Sequence, residues 1–69
     1  MERKQMTLQL SEMEMLVLQE LAAARGLSKT ALLRQALRLY QSVTERLRSG
    51  EKLFLEHPQT KEKAELMVL

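Results

Sequence analysis

The chain has 69 residues, 45% of them apolar, with no cysteine, no tryptophan and a single histidine. A monomer of this size buries only about 60% of the surface its unfolded chain exposes, and no disulfide, thiolate metal site or multi-histidine site is available to help, so association with a second copy is the simplest route to a core. The net charge of +2 is small but segregated: Arg25, Lys29, Arg34, Arg38, Arg46 and Arg48 face one acid, Glu45, whereas Glu12, Glu14 and Glu20 gather earlier, leaving an electropositive middle available to a polyanion.

The opening Arg3-Lys4-Gln5-Met6-Thr7-Leu8-Gln9-Leu10 alternates polar and apolar residues with period two. This predicts a strand over about 3–10, with Met6, Leu8 and Leu10 on one face and Arg3, Gln5, Thr7 and Gln9 on the other. Ser11 and Glu14 form a capping box, so a helix is expected from about 12 to 25, closed by Gly26. Met15, Leu18, Leu21 and Ala22 recur at helical spacing on it, while Leu16 and Val17 lie off that stripe. Ser28 caps a second helix of about 29–49, closed by Gly50. Its stripe is Leu33, Ala36, Leu37, Tyr40, Val43 and Leu47, flanked by Leu32 and Leu39. Arg46 and Arg48 sit in its last turn, where cations oppose the negative end of the helix dipole.

After Gly50 the pattern changes. Leu53-Phe54-Leu55 and Leu66-Met67-Val68-Leu69 are apolar runs around the polar stretch His57 to Lys63, which contains Pro58. Two short strands around a turn are favoured over a final helix capped by Thr60. His57 beside Pro58 reads as a turn residue, and the five methionines read as core filling. No metal site and no cofactor are expected. No run of 18 apolar residues is present, and Arg3 and Lys4 are not followed by a signal-peptide core, so a cytoplasmic protein is expected. An enzyme is not: no nucleophile–base pair, carboxylate pair or phosphate loop stands out.

One strand makes no sheet, and the next strand candidate is two helices away. The simplest partner for residues 3–10 is the same segment of a second copy, paired antiparallel about a two-fold axis. Met6, Leu8 and Leu10 of both copies then face four helices, and the polar face is left open. A two-stranded ribbon fits the major groove of B-DNA, where glutamine bonds adenine, threonine contacts thymine and arginine favours guanine. Gly26-Leu27-Ser28-Lys29-Thr30 adds free backbone N–H groups, two hydroxyls and an ammonium at a positive helix end, which suits a phosphate.

With Met6-Thr7-Leu8-Gln9-Leu10-Ser11, Gly26-Leu27-Ser28-Lys29-Thr30, and Ala31-Leu32-Leu33 leading to Ala36-Leu37 and Tyr40, the chain from about Lys4 to Val43 resembles the ribbon-helix-helix superfamily of DNA-binding repressors, the class of Arc, MetJ and CopG. The resemblance implies a mostly α, α+β fold: an intertwined homodimer with an intermolecular β-ribbon and four helices. It implies base reading by Gln5, Thr7 and Gln9, and phosphate contact by Arg3, Lys4, Ser28, Lys29 and Thr30. It implies a dimer core of Met6, Leu8, Leu10, Leu33, Ala36, Leu37 and Tyr40, and double-stranded DNA as partner. A bacterial, plasmid or phage origin, a place on the nucleoid and higher-order assembly on DNA go with it. Residues 1–50 form the DNA-binding and dimerisation domain in this reading, and residues 51–69 a C-terminal extension with no counterpart in the minimal fold.

The expected function is therefore a sequence-specific DNA-binding dimer that represses transcription. Two alternatives stand beside it: an antitoxin whose tail seizes a toxin, and a small helical interaction module without DNA binding. The tail itself is expected to fold back as a short hairpin and to cover the apolar positions Leu16, Val17, Leu32 and Leu39 that the helix stripes leave over.

Overall fold

A computed structural model describes residues 3–67 of the chain; the expected apolar positions Val68 and Leu69 lie outside them. In chain order the elements are α1 (Glu12–Arg25), α2 (Lys29–Arg48), β1 (Phe54–Glu56) and β2 (Lys63–Glu65). The chain divides into two compact units, Met1–Arg34 and Gln35–Leu69, with the division inside α2.

Both helices start and stop where local chemistry dictates. The Glu14 N–H donates to Ser11 Oγ at 3.1 Å, and the Ser11 N–H donates to Glu14 Oε1 at 2.9 Å, which satisfies two helix-end donors reciprocally. Hydrogen bonding from the Ser11 backbone N–H first, and from its hydroxyl second, holds the Glu14 carboxyl below its ordinary value. Gly26 ends α1 at φ 64°, in the left-handed region that a side chain rarely adopts. Its N–H donates to Ala23 O, and the Leu27 N–H donates to Ala22 O at 2.9 Å, the paired bonds of a Schellman motif. Ser28 then caps α2, its Oγ accepting from the Ala31 N–H at 3.1 Å. At the far end Gly50, at φ 96°, closes α2 with the same pair of bonds: Gly50 N–H to Leu47 O and Glu51 N–H to Arg46 O.

Packing inside the single chain is thin. In the first unit Leu18 and Ala22, at 8% and 5% exposure, are the buried apolar residues, and Leu10, Met15, Leu27, Ala31 and Leu32 are half-buried. α2 buries no residue along its length, although its stripe of apolar side chains is well formed.

In the second unit the chain turns back against the end of α2. Arg46 forms a two-pronged ion pair with Glu51, its Nε and Nη2 donating at 3.0 and 2.8 Å. The pairing holds the Glu51 carboxyl below its ordinary value and raises the Arg46 guanidinium. Val43, Arg46, Leu47, Leu53 and Phe54 line a groove there, with Leu53 half-buried.

The tail is the expected hairpin, antiparallel, with Phe54 opposite Glu65, Leu55 opposite Ala64 and Glu56 opposite Lys63. Its second strand starts three residues before the apolar run Leu66 to Leu69 and ends directly in front of it. The turn explains the shift. His57 Nδ1 accepts from the Gln59 and Thr60 N–H groups at 3.3 and 3.4 Å, the Lys61 N–H donates to His57 O, and Lys61 takes φ 63°. His57 is thus a turn residue, as its place beside Pro58 suggested. In the single chain Leu16, Val17 and Leu39 are exposed and Leu32 is half-buried.

The expected strand at 3–10 is not among the elements of the single chain. The physical reason is that a strand is held by its ladder, and the partner foreseen for this one is the same segment of another copy.

Candidate nucleic-acid interface

Residues 3–10 run without regular structure directly into the capping box of α1. Arg3, Lys4, Gln5, Thr7 and Gln9 are all exposed along this segment. So are two of the three apolar side chains that alternate with them: Met6 is 83% and Leu8 49% exposed, and only Leu10, next to the helix, is half-buried. An extended segment with both faces in water has no reason to hold one conformation by itself.

The second set of expected site residues sits at the start of α2. Ser28, Lys29 and Thr30 are exposed, and the Ser28 hydroxyl is already engaged in capping Ala31. The two helices treat their positive ends differently. α1 carries Glu12 and Glu14 in its first turn, so its own carboxylates neutralise the dipole there. α2 has no acid in its first turn and carries Lys29 instead. Its N-terminal amides and the ammonium therefore offer an anion both hydrogen-bond donors and positive charge.

The third expected set, the dimer core, is exposed as well. Leu37 is 69% and Tyr40 51% exposed, and Leu33 and Ala36 beside them on α2 are exposed too. Such a stripe on a 20-residue helix is an apolar surface left exposed in the single chain. Pattern reading named Leu53, as part of an apolar run, but missed the Arg46–Glu51 pair; both lie at the turn after α2. The signal for the latter was an arginine and a glutamate flanking a glycine-closed helix end.

Among the described residues no group of three or more histidines or acids stands close enough to hold a metal ion. Among the described residues no helix is long and apolar enough to cross a membrane.

Compared with known proteins, residues 4–41 match the model of a family described as ribbon-helix-helix protein, copG family. The match takes in the N-terminal segment, α1 and the first part of α2, and stops short of the hairpin arm. No curated protein and no solved structure matches the chain.

Proposed function

The chain belongs to the copG family of ribbon-helix-helix proteins, matched over more than half of its length, and from that membership we propose that it is a sequence-specific DNA-binding homodimer that represses transcription. Members of the family are typically DNA-binding transcription regulators or antitoxins. Two copies pair residues 3–10 into an antiparallel ribbon. Met6, Leu8 and Leu10 of both copies seal against Leu33, Ala36, Leu37 and Tyr40 of the helices, and the opposite face enters the major groove. Gln5, Thr7 and Gln9 read base edges, glutamine as a two-pronged partner for adenine and threonine through its hydroxyl and methyl. Ser28, Lys29 and Thr30 at the positive end of α2 contact phosphate, and Arg3 and Lys4 flank the ribbon with further charge.

The observation that carries this reading is the exposure, in the single chain, of two apolar sets: Met6 and Leu8 in the N-terminal segment, and Leu33, Ala36, Leu37 and Tyr40 on α2. The polar residues interleaved with the first set are the types that read DNA. The repressor reading is favoured over the antitoxin one because the tail already makes its own backbone bonds, from Leu66 N–H to Leu53 O and from His57 N–H to Glu62 O. A toxin-seizing arm that orders only on binding has no such bonds of its own. Selection of bound duplexes from a random pool tests the proposal. A site with two-fold symmetric halves is expected; a pool that shows no enrichment after several rounds leaves the interaction-module reading in its place.

A further inference from the structure

The hairpin arm lies outside the family match, and its outer edge carries a pattern that fits a second copy of itself. The Leu66–Leu53 and His57–Glu62 bonds, with the pairing register, place the inward backbone groups at 53, 55 and 57 on one strand and at 62, 64 and 66 on the other. Antiparallel ladders alternate, so Lys63 and Glu65 turn their N–H and C=O groups outward along β2. That edge is open to pairing. A two-stranded hairpin is marginal in water, and three or more strands with an apolar face are the usual remedy. The apolar face exists here: Leu55 and Leu66 lie on it at 61% and 45% exposure, beside Ala64.

We propose that β2 pairs antiparallel with β2 of a second copy about a two-fold axis through Ala64, joining two hairpins into one four-stranded sheet. In this register the two Ala64 residues face each other as a non-hydrogen-bonded pair, where Cα atoms approach to about 4.5 Å and small side chains fit best. Lys63 faces Glu65 of the second copy, and Glu65 faces its Lys63. Those pairs use the outward N–H and C=O groups, and their side chains carry opposite charge. Lys63 then stands between two carboxylates, since Glu56 is already opposite it within the hairpin. Shifting the register by two residues either way sets Lys63 against Lys63 or Glu65 against Glu65, so charge selects this pairing over its neighbours. On β1 the outward residues are Phe54 and Glu56, with no cation within the strand to match the acid. The four strands bring Leu55, Ala64, Ala64 and Leu55 into one row on a shared face. This contact between copies is separate from the N-terminal ribbon and does not rest on the DNA reading.

The absence of cysteine makes the test direct. Ala64→Cys places a lone thiol at the axis, within disulfide reach of its counterpart. Glu62→Cys is the comparison: in the proposed register the two positions stand four residues apart, about 13 Å along the strands, too far to bridge. At micromolar protein under a mild oxidant, Ala64→Cys is expected to form linked pairs at least about tenfold faster than Glu62→Cys. Adding Glu65→Pro removes an outward N–H that the hairpin does not use, a substitution edge strands tolerate, and is expected to abolish the advantage. Protection of the Leu66 amide from exchange reports that the hairpin itself survives. Equal linking rates at positions 64 and 62 overturn the proposal outright, as does fast linking at 64 that Glu65→Pro leaves untouched in an intact hairpin.

Discussion

Replacing Leu37 with alanine separates a self-sufficient chain from one that needs a second copy. In the single chain Leu37 is 69% exposed. Full burial of a leucine is worth about 1.5–3 kcal/mol, so the exposed part holds about 1–2 kcal/mol that only another molecule can realise, twice that in a symmetric pair. If the chain folds alone, Leu37→Ala removes little buried surface and places the best helix former on a helix, so its cost stays within about 0.5 kcal/mol. If α2 packs in a dimer core, the same change costs about 2–5 kcal/mol per buried site. Leu18→Ala serves as the reference, because Leu18 is 8% exposed within the chain and its loss is costly either way. Urea unfolding followed by circular dichroism reads both variants. Repeating it over a hundredfold range of protein concentration adds a second readout, since a folded dimer in equilibrium with unfolded monomers gains stability with concentration. A Leu37→Ala midpoint equal to that of the parent, unmoved by concentration, would mean that α2 has no partner surface in a second copy.

Three further outcomes are expected. Lys29→Ala should weaken binding to all DNA sequences alike and lower the salt slope by about one; a loss confined to one sequence would make Lys29 a base reader. Gly26→Ala should destabilise by about 1–2 kcal/mol through backbone strain alone, because φ is 64° and a Cβ there meets nothing within 4 Å, and Gly26→Asn should cost less in thermal melts. Glu14 is held below its ordinary value of 4.5 by its bonds to Ser11; a carboxyl so lowered stabilises the fold above its unfolded value and loses that contribution as pH falls through the folded one. Helix content should therefore drop less steeply below pH 4.5 in Glu14→Gln, which keeps an acceptor but does not titrate; superimposable acid curves would contradict this.

What could be read in advance was what local chemistry decides. Ser11 with Glu14, and then Gly26, bound α1 at the residues foreseen, and Ser28 with Gly50 bound α2 to within one residue, because caps act over three or four positions. The hairpin was legible as a hairpin, but not in register. Apolar content pointed to Leu66 onward, whereas a turn organised by His57 and Lys61 sets Lys63 and Ala64 opposite Glu56 and Leu55. Helical spacing also marked α2's stripe without telling whose surface covers it. Leu18 and Leu37 look alike as letters in a pattern, yet one is buried within the chain and the other exposed. The segment 3–10 is the sharpest case. Its period-two alternation is complete in the sequence, but pairing is a property of two segments, and one chain supplies one.

In the proposed dimer that segment is the reader of DNA. The most direct measurement is equilibrium binding, at one salt concentration, of the parent and of the Gln5→Ala/Thr7→Ala/Gln9→Ala variant to the selected duplex and to a scrambled one. The parent is expected to prefer its site by about a thousandfold or more, and the variant to bind both duplexes with nearly the same affinity while keeping the parent's hold on the scrambled one. A variant that keeps the parent's preference would show that the sequence is read elsewhere on the protein.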